Sequence, residues 1–371
     1  MGLSAKFEPF NVKMYKDINT SFSVGGKPVF CTAWGGSGTG RVVAPLYNLQ
    51  GADDVSLAQA KGKIVLSYKG LGYSLYNKLC ENGAVAIVTF NGNTRWDNFD
   101  IDTRRICFDM GDNPLIPCVN IHITDAVKLA GCDGEDAVIN VEQTAYTGVS
   151  YNVLLDIPGK TSDTVVMTAH YDTTPLSVGA YDNMTGCIAL LYMAEQFASV
   201  KNKRTLRLVW CGSEEVGLIG SQAYCRDHAS ELENTVLNIN LDMLGAVMGT
   251  FTSFSCIDEQ SAEFLKEFSQ KHGYPSAVTY GIRSSDQNPF LYCGVPAVSF
   301  ARYSVADTGL THTRYDTAQC VSADTLLRDS AYIAKFTEYA LNNCEFPASR
   351  QISDKIAEDV KEYMSKKEPL I

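Results

Sequence analysis

Apolar and polar positions follow different patterns in two parts of the chain. From residue 147 onward, short apolar runs alternate with longer stretches in which apolar residues recur at helical spacing. The runs predict strands at Asn152–Leu155, Thr164–Thr168, Leu206–Trp210, Val236–Leu241 and Ala297–Phe300. The stretches predict helices at Thr185–Ser199, Leu218–His228, Ser261–His272 and Ser322–Asn343. This alternation predicts an α/β fold, in which helices cover both faces of a mainly parallel mixed sheet.

The first part of the chain has shorter apolar runs, separated by glycine and asparagine turns. Residues 62–70 and 85–92 predict strands, and residues 75–84 predict a helix that ends at Asn-Gly. Residues 117–131 predict a strand followed by a helix, with Thr124 as the N-cap of that helix. Most of this part is therefore expected to be β-rich.

The change of pattern divides the chain into two predicted domains. A smaller, β-rich domain covers residues 1–146, and the α/β domain covers residues 147–371. The last predicted helix, over residues 351–368, is amphipathic and carries paired charges. Such a helix can pack on the body of the protein or mediate self-association, so a homo-oligomer stays open as an alternative to a monomer.

The charge balance argues against several classes of partner. The formal net charge is −11 for 371 residues, and the isoelectric point is about 5.0. Nucleic acids and anionic membrane surfaces are negative themselves, so neither is expected as a partner. No apolar run approaches the ~20 residues of a membrane-spanning helix, and the first residues lack a signal-peptide pattern. The twelve cysteines are scattered without a CxxC pair, as is typical of reduced thiols, so we expect a cytoplasmic protein.

Some residues that invite a functional interpretation have a simpler structural one. The segment GGSGTG (35–40) lacks the GK[ST] ending of a phosphate-binding loop and precedes no helical pattern, so we predict a turn. His122 alternates with apolar neighbours in a predicted strand, while His228 and His272 lie near the ends of predicted helices. We expect no chemistry from these three histidines.

The candidate chemistry lies where the predicted strands of the second domain end. The residues found there are His170, Asp172, Asp182, Glu214, Glu215, Asp242 and His312. Because the carboxyl ends of parallel strands meet at one edge of a sheet, we expect these side chains to lie close together. Imidazole and carboxylate groups are ligands of zinc and related divalent ions. The set is larger than two metal ions need, so some of its members serve other roles.

A site for two metal ions has specific requirements. Ions ~3.5–4 Å apart repel each other, so a carboxylate must bridge them and further carboxylates must lower the net charge. Glu214 and Glu215 are adjacent on one strand-end turn, where neighbouring side chains diverge. One of them can hold metal while the other reaches the attacking water. A carboxylate placed in that way acts as a general base, and later as a general acid for a leaving amine.

These segments resemble the M28 family of co-catalytic zinc peptidases, most of which are aminopeptidases. The matching pieces, in the family's order, are TAHYDT, GAYDNMTG, SEEVGLIGS, NLDMLG, SDQNPF and THTRYDT. The resemblance implies two Zn²⁺ ions, with Co²⁺ or Mn²⁺ as alternatives, and a peptide substrate that is cleaved at its N-terminal peptide bond. The first domain resembles the protease-associated (PA) domain often inserted in this family, over GKIVLSYKG and KLCENGAVAIVTFNG.

The resemblance also implies a role for each candidate residue. The implied ligands are Asp182 as the bridge between the two ions, His170 and Asp242 at one ion, and Glu215 and His312 at the other. Glu214 is implied as the general base, and Asp172 as the residue that orients His170. A cis peptide bond is implied between Asp182 and Asn183.

The sequence departs from the family at one position and leaves alternatives open. Thr311 stands where several members have a tyrosine that stabilises the oxyanion, so Tyr303 and Arg283 are candidates for that role. Arg302 and Arg314 are candidate substrate contacts. A carboxypeptidase or dipeptidase of the same family would bind a substrate carboxylate through one of these arginines. A non-catalytic relative that acts as a binding protein, and a single-zinc enzyme that cyclises N-terminal glutamine, are more distant alternatives.

Overall fold

The structure is a computed structural model, and it describes residues 2–97, 100–108, 110–305, 308–343, 346 and 350–367. Its strands are β1 (Lys6–Val24), β2 (Lys27–Val29), β3 (Cys31–Ala33), β4 (Gly40–Asn48), β5 (Ile64–Leu66), β6 (Ala86–Asn91), β7 (Cys118–His122), β8 (Asp136–Ile157), β9 (Thr164–His170), β10 (Thr205–Cys211), β11 (Thr235–Leu241), β12 (Gly249–Cys256), β13 (Ala277–Tyr280) and β14 (Ala297–Ser304). Its α-helices are α1 (Asp54–Ala58), α2 (Tyr73–Glu81), α3 (Ile123–Leu129), α4 (Thr185–Phe197), α5 (Ile219–Asp227), α6 (Ala229–Leu232), α7 (Glu259–Lys271), α8 (Gln287–Tyr292), α9 (Ala323–Asn342) and α10 (Asp354–Ser365). Two short helical turns lie at Ala180–Met184 and Ala318–Cys320.

The described strands form one hydrogen-bonded sheet. Its order is β13-β12-β14-β11-β9-β10-β8-β4-β5-β6-β7-β3, with β1 paired to β8 and β2 paired to β1. Strands β10, β9, β11 and β14 are parallel to one another, and so are β4, β5, β6 and β7. Strand β8 runs antiparallel to both β4 and β10. The predicted α/β fold with a mainly parallel mixed sheet is therefore confirmed.

Strand β8 joins the two halves of the molecule, which we call the front unit (residues 1–146) and the rear unit (residues 147–371). The first residues of β8 pair with β4 in the front unit, and its last residues pair with β10 in the rear unit. Strand β1 pairs with β8 along the parts of β8 that lie in both units, from the pair Lys6–Leu154 to the pair Val24–Ala137. The boundary predicted at residue 146 falls inside this continuous strand, and the division into two domains with a PA-like first one stays a prediction.

The rear unit buries its part of the sheet between two layers of helices. Alternate residues of β9 point to opposite layers, as they must in a pleated strand. Val165 and Met167 pack in a core with α4, α7 and α9, whereas Val166 packs with α5 and α8. Because both faces are covered, β9 is apolar at nearly every position, and the sequence pattern predicts it well.

Some elements differ from the sequence-based expectations. Strands β12 and β13 were not predicted, because Ser and Thr occupy half of the buried strand β12 and hide its apolar character. These hydroxyls are paired inside the protein: Ser253 Oγ lies 2.8 Å from Ser276 Oγ. Thr124 is not the N-cap of α3. That role belongs to His122, whose Nδ1 accepts a hydrogen bond from the Thr124 amide at 3.2 Å.

The C-terminal helix α10 packs on the body of the rear unit. Its Ile356 and Val360 are buried in a cluster with Leu291 and Ala297. Residue 368, the last of the predicted tail helix, lies outside the described residues, and self-association stays a prediction. In the part of the chain that the structure describes, no helix is both long enough and apolar enough to span a membrane.

Candidate metal centre

The carboxyl ends of β9, β10, β11 and β14 meet at one edge of the sheet. His170 is the last residue of β9, and Asp242 directly follows β11. Glu215 lies just beyond β10, and His312 lies in the loop beyond β14. The parallel pairing of these strands places their ends side by side, so residues that are distant in sequence converge, as predicted.

Two groups of side chains converge closely enough to hold a metal ion each. The groups are His170, Asp182 and Asp242, and Asp182, Glu215 and His312, with the ligand atoms of each group within 4.8 Å of one another. Asp182 belongs to both, because its Oδ1 lies 3.3 Å from His170 Nε2 and its Oδ2 lies 3.3 Å from His312 Nε2. Asp242 Oδ1 lies 3.5 Å from His170 Nε2, and Glu215 Oε2 lies 3.0 Å from His312 Nε2. All five residues predicted as ligands are therefore brought together.

Asp182 is held in place through its backbone. The peptide bond between Asp182 and Asn183 is cis, as the family resemblance implied. The carboxylate of Asp316 accepts hydrogen bonds from the amides of Tyr181 at 2.7 Å and of Asp182 at 3.1 Å. The sequence analysis assigned no role to Asp316, although it lies in the segment THTRYDT that carries the family resemblance.

Asp172 contacts His170 in a different way from the one expected. The His170 Nδ1 lies 3.0 Å from the main-chain oxygen of Asp172, whereas the carboxylate Oδ1 is 3.9 Å away. That carboxylate instead accepts hydrogen bonds from the amides of Glu214 at 2.9 Å and Glu215 at 3.1 Å. Asp172 therefore orients the imidazole with its carbonyl group and the Glu214–Glu215 turn with its side chain.

Glu214 shares this turn but belongs to neither metal group. Burial raises the pKa of the Glu214 carboxyl well above its usual value, and the neighbouring carboxyl of Asp286 raises it further, against the effect of His170. Asp286 is itself fully buried, accepts a hydrogen bond from Ser221 Oγ, and has a pKa raised to about 6 by burial. Glu214 thus stands among other carboxylates, and their negative charge favours its protonated form.

The three arginines singled out from the sequence are engaged by carboxylates of the protein. Arg283 Nη2 donates to Asp242 Oδ2 at 2.8 Å, and its guanidinium carbon lies 5.4 Å from the centre of the Tyr303 ring. The other two pairs are Arg302 with Asp329, and Arg314 with Asp100. Arg283 consequently fixes the carboxylate of Asp242, which is one of the predicted ligands. It also helps to hold the pKa of Asp242 below its usual value, although burial opposes this.

The front unit contacts the loop that carries His312, through what we call the Asp100 clamp (Trp96, Asp100, Arg314 and Tyr315). Asp100 is buried, pairs with Arg314, and accepts a hydrogen bond from the Tyr315 hydroxyl at 2.8 Å. The Trp96 and Tyr315 rings lie 4.7 Å apart between their centres. Sequence reasoning missed this clamp, because no local pattern links residue 100 to residue 315.

The two groups of side chains fit divalent cations of the zinc type. Each combines imidazole nitrogen with carboxylate oxygen, which zinc accepts as ligands. Glu215 Oε1 and Asp242 Oδ1 are buried and accept no hydrogen bond from any described residue, a costly arrangement unless a cation compensates them. Burial lowers the pKa of His312, yet Asp182 and Glu215 raise it to about 10, which shows how negative the surroundings are.

Comparison with known proteins agrees with this geometry. The sequence profile of "Peptidase family M28" matches residues 152–337. Aminopeptidase YwaD of Bacillus subtilis (strain 168) is 31% identical over 316 residues, which cover 80% of this chain and 66% of that protein. Leupeptin-inactivating enzyme 1 of Streptomyces exfoliatus is 30% identical over 158 residues, which cover 41% of this chain and 36% of that enzyme. The chain thus spans about two thirds or less of the length of these relatives.

Solved structures show the same fold. BSAP, a zinc aminopeptidase from Bacillus subtilis, superposes with a TM-score of 0.74 at 26% identity, over 95% of this chain and 88% of that one. An aminopeptidase from Aneurinibacillus sp. strain AM-1 superposes with a TM-score of 0.70 at 21% identity, over 92% of this chain and 85% of that one. The profile match extends over half of the chain and contains every proposed ligand. The chain belongs to peptidase family M28.

Proposed function

We propose that this protein is a zinc-dependent aminopeptidase that removes the N-terminal residue of peptides. The observation that carries the proposal is the position of Asp182, whose two carboxylate oxygens face two separate groups of ligands. Membership of the M28 family and the relatives named aminopeptidases support the reaction class. The similarity to a zinc aminopeptidase from Bacillus subtilis supports the choice of metal.

Two ions are inferred from the two ligand groups. His170, Asp182 and Asp242 would hold one, and Asp182, Glu215 and His312 would hold the other. Bound zinc supplies Lewis acidity, which polarises the scissile carbonyl and lowers the pKa of the attacking water. Arg283 fixes the carboxylate of Asp242, and Asp316 fixes the backbone at Asp182, so these ligands are oriented before an ion arrives.

Glu214 is the residue that we infer to move the proton. Its carboxylate accepts a proton from the attacking water and then donates this proton to the amine that leaves. Both steps need a carboxyl pKa nearer neutrality than usual, and burial beside Asp286 raises the pKa of Glu214 in that direction. Asp172 keeps the turn in place through its two hydrogen bonds to the amides of Glu214 and Glu215.

An exopeptidase that acts on the N-terminus must accept the substrate's positive α-ammonium group. The carboxylates of the two ligand groups provide a negative environment for it. A carboxypeptidase would instead need a cation for the substrate's terminal carboxylate. Arg283, Arg302 and Arg314 are each paired with a carboxylate of the protein, which favours the aminopeptidase.

The proposed function is tested with the wild-type protein and a set of matched peptides. We expect the zinc-loaded protein to hydrolyse leucyl peptides with a free N-terminus and to leave their N-acetyl counterparts intact. Removal of metal with a chelator is expected to abolish hydrolysis, and added zinc to restore it. Cleavage of the N-acetyl peptides at their C-terminal bond would contradict the proposal and identify a carboxypeptidase.

A further inference from the structure

A cavity of about 490 Å³ lies between the front unit and the metal centre. Tyr15, Trp34, Leu71 and Phe108 line it from the front unit. Glu215 and His312, two of the proposed metal ligands, line it from the rear unit. Its volume falls within the range of about 300–1,000 Å³ that is usual for small-ligand sites. The cavity is therefore continuous with the reaction centre and large enough to take part of a substrate.

Most of the exposed wall of this cavity is apolar, although charged side chains such as Arg105 also line it. Contacts within the protein hold its aromatic rings in place. Trp34 is buried, and its Nε1 donates to Thr89 Oγ1 at 2.8 Å. The Phe108 ring packs edge-on against Tyr76, with 5.8 Å between the ring centres. The Arg105 guanidinium carbon lies 5.4 Å from the centre of the Tyr15 ring. Because these rings are already packed, a substrate side chain would find a formed surface there and would displace water from it.

The position of Glu214 indicates which part of a peptide enters the cavity. Ser213 and Val216, which flank the Glu214–Glu215 turn, both line the cavity. In the proposed reaction Glu214 donates a proton to the leaving amine, which belongs to the second residue of the peptide. That residue must therefore lie beside the Glu214–Glu215 turn, and the cavity adjoins this turn through Ser213, Glu215 and Val216.

We propose that this cavity binds the side chain of the substrate's second residue and favours large apolar or aromatic side chains there. The inference rests on the proposed aminopeptidase function and adds a specificity that the front unit provides. Leu71 is a suitable residue for a test, since it lines the cavity from the front unit and belongs to neither group of proposed ligands. Leu115 is its control, because it is an exposed leucine of the front unit that does not line the cavity.

The experiment compares Leu71→Trp with Leu115→Trp on two series of dipeptides. One series keeps leucine first and varies the second residue from Gly to Leu and Phe; the other varies the first residue before Gly. For the wild type we expect kcat/KM to be about 10- to 100-fold higher for Leu-Phe than for Leu-Gly, as burial of such a side chain allows. Leu71→Trp is expected to reduce this ratio about tenfold or more, at unchanged zinc content. Leu115→Trp is expected to behave as the wild type.

Other outcomes would overturn the inference in distinguishable ways. If Leu71→Trp alters the preference at the first residue instead, the cavity holds the terminal side chain. If it alters neither preference while hydrolysis continues, the cavity takes no part in selection and the proposed function stands. If the zinc-loaded wild type hydrolyses no peptide of either series, the proposed function fails and the inference with it. Leu71→Ala, which enlarges the cavity and should shift the preference towards Trp in second place, serves if Leu71→Trp does not fold.

Discussion

Glu214 and Glu215 are adjacent in sequence and meet different neighbours. Glu215 Oε2 lies 3.0 Å from His312 Nε2 and belongs to a metal group, whereas Glu214 does not. The amides of both residues are bound by the one carboxylate of Asp172. A single short turn can thus supply a ligand and a proton carrier, because successive side chains leave the backbone in different directions.

Replacement of Glu214 by Gln is expected to reduce kcat/KM for leucyl peptides by about 10²–10⁴-fold, the usual contribution of a general base. Zinc content should stay unchanged, because Glu214 belongs to neither ligand group. Peptide hydrolysis and zinc analysis of the same preparation provide the measurement. The matched control is Glu267→Gln, on the exposed face of α7. Near-wild-type activity of Glu214→Gln would contradict the role given to Glu214.

At this scale the sequence predicted well which side chains converge, and less well which residues support them. The proposed ligands follow strands, where the strand pattern and the type of side chain are both visible in the sequence. Asp316 and Arg283 act through the backbone of Asp182 and the carboxylate of Asp242. Such contacts depend on how loops fold back on each other, and loop sequences carry no periodic signal that would predict this.

At the scale of elements, the loop after β14 has to place His312 without the rigidity of a strand. The Asp100 clamp compensates for this: Asp100 pairs with Arg314 and accepts a hydrogen bond from Tyr315. His312 lies only two residues before Arg314. The contacts that the clamp makes with Arg314 and Tyr315 therefore limit the movement of the His312 imidazole as well. A residue of the front unit thereby contributes to the geometry of the metal centre.

Replacement of Asp100 by Asn is expected to weaken zinc binding by about 10-fold or more, which is typical of losses in the supports of metal ligands. The substitution keeps the size of the side chain and removes the charge that pairs with Arg314. Competition with a chromogenic chelator measures the zinc affinity. The same substitution at Asp112, an exposed residue of the front unit, is the control. Equal zinc affinities of Asp100→Asn and wild type would show that the clamp does not position His312.

The elements themselves were predicted in proportion to their burial. Strands β9 and β11 and helix α4 have continuous apolar patterns, and all were foreseen close to their observed limits. Strand β12 was missed because its buried hydroxyl groups look polar in the sequence, although they are hydrogen-bonded in the structure. A pattern of apolar positions cannot predict that a polar residue is buried when its hydrogen-bond partner is found only in the folded state.

At the scale of the whole molecule, the front and rear units are also linked by an ionisable contact. Each ring nitrogen of His228 faces a carboxylate: Nε2 lies 2.8 Å from Glu8 of β1, and Nδ1 lies 2.9 Å from Glu231. The protonated imidazole donates to both. Tyr224 stacks on the ring, and Arg207 pairs with Glu231 from the other side. Burial lowers the pKa of His228, but the two carboxylates outweigh it and the pKa is raised.

This contact predicts a pH-dependent stability. Folding raises the pKa of this histidine, so its protonation stabilises the folded state. The stabilisation is complete below the pKa of the unfolded state, about 6.5, and is lost as the pH rises through the pKa of the folded state. His228→Gln should therefore lower the free energy of unfolding more at pH 6 than at pH 9, by about 1 kcal/mol or less for such a partly exposed group. Denaturant unfolding at both pH values measures this difference.

His272→Gln is the control with the opposite sign. Burial and the nearby Lys335 and Lys271 lower the pKa of His272, so its protonation below about pH 6.5 destabilises the folded state. Removal of this histidine should therefore cost less stability at acidic pH than at pH 9. If both variants show the same dependence on pH, the contact of His228 with Glu8 and Glu231 is not its cause.

The pairing of β1 with β8 was beyond the reach of the sequence. Each strand has a pattern of its own, but the register between Lys6 and Leu154 joins the first residues of the front unit to the rear unit. No local sequence pattern specifies that one strand should pair with strands of both units. The division into residues 1–146 and 147–371 followed a change of pattern, and such a change does not reveal whether a strand continues through it.

The unbroken strand β8 limits how the molecule can open. Two units joined by a flexible linker can rotate away from each other freely. Two units that share a hydrogen-bonded strand can move apart only if that strand bends or loses its hydrogen bonds. The cavity beside the candidate metal centre would then keep a nearly constant width. In the proposed function, a cavity of this kind would admit unfolded chain ends and exclude folded proteins.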